Sequence, residues 1–252
     1  MDNQNQYSKM NRIEAYLNKC ARAYYAGDPI ISDEVFDRLA ESVGYNKVGA
    51  KQHEHIEKHF FKLYSLQKFY EDEGKESPLR GYKHIDMSPK LDGAAISVLY
   101  IDGELARVLT RGDGVEGTVV TDKFIDSAFI PKTIPLEGAV QIVGEICAPK
   151  YIENARNFAA GSLNLNDSNE FKTRPLTFFA YGIQPNQCGM FHQDMVRLKG
   201  WGFNTIKDQD IQHVYPCDGM VYRLDNYSEF YAAGYTSKHP QGAYALDRKS
   251  VV

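Results

Sequence analysis

Lys90-Leu91-Asp92-Gly93 is the segment of this chain whose residue types can do covalent chemistry. A lysine that attacks phosphorus must present a free amine at neutral pH. Its ordinary pKa is about 10.4, so a neighbouring cation, a bound metal or partial burial has to favour the uncharged form. The aspartate can orient the amine or hold a metal, and the glycine after it lets a backbone approach a nucleotide closely. Alone, this four-residue pattern is a weak signal, because most chance matches are surface turns.

Other segments follow it in order: Thr110-Arg111-Gly112-Asp113-Gly114, Val143-Gly144-Glu145, Asn157-Phe158-Ala159-Ala160-Gly161-Ser162-Leu163, Arg174-Pro175-Leu176-Thr177-Phe178-Phe179-Ala180-Tyr181-Gly182 and Cys217-Asp218-Gly219-Met220-Val221. Each has a plain reading: a tight turn around Gly112, a strand-end charge at Glu145, a core ring at Tyr181. Their joint occurrence in this order favours chemistry. Together they resemble the nucleotidyltransferase domain of NAD-dependent DNA ligases across residues 62–249. The resemblance implies that Lys90 becomes adenylated by NAD, with Asp92 beside it steering the amine or a metal. It implies that Arg111 contacts the ribose, that Glu145 binds a ribose hydroxyl or Mg2+, and that Tyr181 stacks on adenine. Ser65 and Leu66 would line the same pocket, and Asp218 would lie near the metal and the departing nicotinamide side. The chemistry suits these residues, since phosphoryl transfer is mostly positioning plus charge neutralisation and a hard divalent cation takes carboxylate and phosphate oxygens.

The stretch 23–37 is similar to the small helical domain of the same ligases, which closes over the nicotinamide mononucleotide half of NAD. Tyr24, Asp33 and Asp37 follow that pattern. Tyr25 stands where the family commonly has His, and Phe36 where it has Tyr, which keeps a ring but loses a hydroxyl bond of about 0.5–1.5 kcal/mol. Some of these residues also read as the core of a helical hairpin. Elsewhere Ser88 replaces a Glu, Asn164 an Arg, and Arg223 the phosphate-binding Lys, with the charge kept but the reach changed. A second phosphate-binding Lys falls on Asp247 in strict register; a shift of one or two residues assigns it to Lys249.

These residues need elements to hold them. Apolar Ile13, Tyr16, Leu17, Cys20 and Tyr24 recur at helical steps, Gly27-Asp28-Pro29 breaks the helix, and Ser32 reads as the N-cap of a second helix carrying Val35, Phe36 and Leu39 that stops near Gly44. Residues 47–62 read as a solvated, His-rich linker (His53, His55, His59), with a metal cluster as the alternative. Asp102-Gly103 between two β-rich runs predicts a hairpin over 94–110. Further strands are predicted at 139–144, 176–181 and 219–224, and helices at 119–128, 151–160 and 190–199. The expected fold class is α+β: a small helical domain and linker over 1–61, then an antiparallel-sheet nucleotidyltransferase domain, of the ATP-grasp-like DNA-ligase adenylation type, over 62–252.

With 43% hydrophobic and 25% charged residues, the composition is that of a globular protein, and no apolar run is long enough to span a bilayer. The polar N-terminus lacks the regions of a signal peptide, so the cytoplasm (a host's, if the source is viral) is the expected location. The four cysteines form no C-x-x-C pair. A net charge of −4 does not suit a chain that grips nucleic acid alone. The nick-sealing members of the family continue into an OB-fold, a zinc module and helix-hairpin-helix repeats. The expected partner is therefore nicked DNA, held by such domains missing here or by a separate OB-fold-containing subunit. The loose match and the compact linker favour a divergent short subunit of phage type. Two other readings stay open: an RNA ligase using the same lysyl-AMP chemistry, and a degenerate NAD-binding regulatory module.

Overall fold

A computed structural model of the chain describes residues 12–17, 19–20, 23, 30–43, 56–70 and 76–247. Helix α1 is helical at residues 12–17, 19–20 and 23. There follow α2 (Asp33–Ser42), β1 (Ile56–Lys58), β2 (Gln67–Tyr70), β3 (Ile85–Leu91), β4 (Ala94–Ile101), β5 (Glu104–Thr110), β6 (Glu116–Thr118), α3 (Thr121–Ile125) and β7 (Ala139–Cys147). The second half holds α4 (Ala155–Leu163), α5 (Ser168–Thr173), β8 (Thr177–Gln184), α6 (Phe191–Gly200), β9 (Asn204–Thr205), α7 (Ile211–Val214), β10 (Cys217–Leu224), α8 (Tyr227–Ala233) and β11 (Ala243–Asp247). The fold is mixed α+β. Its sheets have the strand orders β1-β6, β2-β11-β10-β3 and β5-β4-β7-β8-β9. Two pairings, β11 with β2 and β8 with β9, are parallel, so the antiparallel expectation holds for only part of the sheets.

The chain divides into two compact units, Met1–Leu63 with Ile96–Ile142, and Tyr64–Ala95 with Val143–Val252. In the first, the helical periodicity of the sequence becomes a core: Ile13, Tyr16, Leu17 and Cys20 of α1 and Leu39 of α2 are buried with Leu99, Ile101 and Ala106. Each fully buried Ile or Leu among them contributes about 1.5–3 kcal/mol. Ser32 caps α2, its Oγ accepting the Val35 N–H at 3.4 Å. At the other end of α2, Arg107 of β5 donates to the Ser42 carbonyl at 3.2 Å and pairs with Glu57 of β1 at 2.7 Å. A buried cation there meets helix C-terminal carbonyls, where the helix dipole favours it. The β4–β5 turn has positive φ at both Asp102 (46°) and Gly103 (79°), as a tight hairpin of right-handed strands requires.

In the second unit, β3 lies at an edge of its sheet, where Pro89 removes no needed ladder bond. Lys90 therefore sits within a strand, not before one. Helix α4 starts later than predicted, behind a left-handed Asn154 (φ 52°), and Tyr151 is exposed. The opposite face of this sheet packs Leu79, Leu224, Phe230 and Tyr244 into a core.

Candidate active site

Three strands build the surroundings of Lys90. Gly219 of β10 lies opposite Lys90 of β3, and Asp247 of β11 lies opposite Gly219. Residues paired across strands share a face, so the three positions form one row. A Cβ on Gly219 would come within 2.2 Å of the Leu246 carbonyl oxygen, so only glycine lets these strands meet. The β10 register shifts between Cys217 and Gly219, and this irregularity brings Asp218 to Lys90. Lys90 Nζ donates to Asp218 Oδ2 and lies 3.4 Å from Asp247 Oδ1. Asp218 Oδ1 is buried and accepts no hydrogen bond.

The Asp92-Gly93 step is pressed against β7. A Cβ at Gly93 would lie 2.3 Å from the Ile146 carbonyl oxygen, 2.8 Å from Cys147 Sγ and 3.1 Å from Glu145 Cγ. This glycine lets the turn approach the β7 backbone, which brings Glu145 to the same turn as Asp92. The Asp92 N–H donates to the Pro216 carbonyl at 2.9 Å, and its Oδ1 accepts from Arg156 Nη1 at 2.9 Å. Arg156, at the start of α4, was not singled out in the sequence, because nothing in its neighbours marks a long-range ion pair.

The other expected site residues of this unit have the following surroundings. Tyr181 is half-buried on β8. The Ser65 N–H donates to Lys238 O at 3.1 Å and its carbonyl accepts from His239 at 2.9 Å. Leu66 packs on the Leu79–Leu224 core. Arg223 is enclosed by rings, its guanidinium 4.5 Å from the Phe191 centroid, 4.1 Å from Phe230 and 5.4 Å from Tyr227. Burial lowers its pKa, and the ring faces offset part of the lost hydration. Lys249 lies outside the described residues, while β11 continues in strict register to Asp247.

In the first unit, Arg111 stands on a tightly specified turn. Gly112 (φ 52°) and Gly114 (φ 92°) adopt conformations that favour glycine. Asp113 Oδ1 accepts the N–H groups of Val115 at 2.8 Å and Glu116 at 3.0 Å, and these bonds, that of Glu116 foremost, hold its carboxyl below the usual range. His59, expected in a solvated linker, is buried. Its Nε2 donates to the Arg111 carbonyl at 3.0 Å, which leaves Nδ1 to accept from the Ser97 hydroxyl at 2.8 Å. Phe60 and Leu63, which follow it, are buried and anchor the segment in place. Phe36 packs on the α1–α2 core, in line with its hairpin-core reading, and Asp37 is exposed. Asp33 opens α2. Tyr24, Tyr25, His53 and His55 lie outside the described residues.

Burial lowers the His59 pKa below the ordinary imidazole value, so the folded protein keeps it neutral where the unfolded chain takes up a proton. Its contribution is complete above about pH 6.5 and declines as pH falls toward the depressed folded value. Urea unfolding at pH 7.5 and 5.5 checks this: His59→Gln is expected to lose less stability on acidification than the wild type, by up to ~1.4 kcal/mol per pH unit. Equal losses would contradict it.

A divalent cation has partial support in the donor set. Among the described residues no group of three or more His, Cys, Asp or Glu side chains is arranged to hold a metal. Mg2+ in phosphate chemistry needs only one or two carboxylates alongside phosphate oxygens, and the unpaired, buried Asp218 Oδ1 is such a donor.

The family described as NAD-dependent DNA ligase adenylation domain matches residues 52–213. The DNA ligase of Wolinella succinogenes is 31% identical over 304 residues, covering 96% of this chain and 46% of the relative. The DNA ligase of Helicobacter pylori is 30% identical over 297 residues, covering 94% of this chain and 45% of the relative. A solved chain named Pmar-Lig_Pre shares 10% identity at a TM-score of 0.38, over 88% of this chain and 50% of that one, too distant to bear on the fold. The chain belongs to the family of NAD-dependent DNA ligase adenylation domains. It spans a little under half the length of the curated relatives it matches.

Proposed function

We propose that this chain transfers AMP from NAD to Lys90, the first step of sealing nicks in DNA. Lys90 Nζ attacks the adenylyl phosphorus, a P–N bond forms, the bond to the nicotinamide mononucleotide phosphate breaks, and the amine's proton leaves. The observation that carries this reading is the Lys90 amine hydrogen-bonded to Asp218, a ready acceptor for that proton, on a strand whose Gly93 turn adjoins Glu145. Asp92, fixed by Arg156 and the Pro216 carbonyl, steers the segment.

Glu145 and Asp218 would hold Mg2+, which when bound neutralises phosphate charge. Arg111, Tyr181, Ser65 and Leu66 are proposed for the adenosine half, Arg223 and Lys249 for the phosphates. Residues 1–61 would form the nicotinamide mononucleotide module, through Tyr24, Tyr25, Asp33, Phe36 and Asp37, and residues 62–252 the adenylation domain. Nicked DNA is the proposed partner, gripped through further domains or a separate OB-fold subunit in the cytoplasm. No helix among the described residues is long and apolar enough to cross a membrane.

Intact mass after incubation with NAD and Mg2+ tests the chemistry. One added AMP is expected with NAD and none with ATP. No gain with NAD, or an equal gain with ATP, rejects the reading.

A further inference from the structure

Among the described residues not yet given a role, Lys68 reaches the Lys90 row. Lys68 stands on β2, the strand beside β11, and its Nζ lies 2.8 Å from Asp247 Oδ2, while Lys90 lies on the other oxygen of the same carboxylate at 3.4 Å. Asp247 thus bridges two ammonium groups, and its side chain is only 8% exposed. Lys68 is 54% exposed, so it delivers its charge to a buried carboxylate at little desolvation cost to itself. The Asp247 hydrogen bond raises the Lys68 pKa, which keeps that charge in place at neutral pH.

We infer that Lys68 is a positioning residue for the adenylation step: by neutralising Asp247 it lets an anionic phosphate approach Lys90. The inference rests on the proposed lysyl-AMP chemistry and deepens it. A phosphate under attack must come within about 3–3.5 Å of Nζ. Two carboxylates, Asp218 and Asp247, already border that atom. With Lys68 present, two lysine side chains stand against these two carboxylates among the described residues. Without Lys68 the described residues of the row carry a net negative charge where a negative group has to dock, and a buried carboxylate is poorly screened by salt. The plain alternative is a half-exposed salt bridge of no functional weight, as many are.

The two readings separate by experiment. Single-turnover formation of the AMP adduct is measured at subsaturating NAD for the wild type, Lys68→Met, Lys68→Arg and the double variant Lys68→Met/Asp247→Asn, with thermal unfolding followed for each. Lys68→Met is expected to slow adduct formation at least ~10-fold without lowering the melting temperature, and Lys68→Arg to stay within ~3-fold of the wild type. Adding Asp247→Asn removes the charge that Lys68 answers, so the double variant is expected to recover most of the lost rate, which a merely structural role would not produce. A wild-type rate in Lys68→Met, an equally slow Lys68→Arg, or a double variant no faster than the single one overturns the role of Lys68 and leaves the adenylation chemistry standing. A wild-type chain that gains no AMP overturns both.

Discussion

Lys90→Ala is expected to remove the AMP adduct entirely, because Lys90 carries the amine that is hydrogen-bonded to Asp218, the proposed proton acceptor. Lys90→Arg makes the sharper control. It keeps a cation against the two carboxylates, and so keeps the fold, but a guanidinium stays protonated and cannot attack phosphorus. The alanine variant leaves those carboxylates facing each other in a mostly buried site, at a cost of roughly 1–3 kcal/mol of stability. Intact mass with NAD reads the chemistry and urea unfolding the stability. An adduct persisting in either variant would place the nucleophile elsewhere.

Gly93→Ala is expected to damage both stability and activity. Its methyl would enter 2.3 Å from the Ile146 carbonyl oxygen and 2.8 Å from Cys147 Sγ, distances no Cβ tolerates, and the obstacle is backbone of a central strand. The turn must move off β7, at about 1–3 kcal/mol or somewhat more. Lys90 lies three residues away on the same strand-to-turn segment, and a misplacement near 1 Å is worth on the order of 10²-fold in rate. Adduct kinetics and unfolding are expected to fall together. A variant with normal rate and stability would mean that the turn is not held as described.

The parts of this structure that were legible in the sequence are those fixed by local rules. The apolar spacing of Ile13, Tyr16, Leu17 and Cys20 became a buried helix face, Ser32 became a cap, and Asp102-Gly103 became a hairpin with two positive φ values. What escaped was set by distant partners. Strand β3 alternates apolar Ile85, Met87 and Leu91 with polar Asp86, Ser88 and Lys90, but Pro89 inside the run argues against a strand, and it is the pairing with β10 that makes it one. His59 looked solvated in a polar run, yet Ser97 and the Arg111 carbonyl, both far along the chain, satisfy its nitrogens and allow burial. Lys90, Asp92 and Asp218 were named from the motif order, whereas Arg156, Asp247 as a carboxylate neighbour and Lys68 act through pairings that no spacing encodes.

The first compact unit is sewn from two separated stretches of chain, and this has a consequence during synthesis. Helices α1 and α2 leave the ribosome well before Leu99, Ile101 and Ala106 exist to cover them. Helices this short are marginal alone in water, so they remain unformed while the intervening chain is made. At ~5–20 residues per second that wait lasts a few seconds, during which their apolar faces are open to chaperones or to neighbouring nascent chains.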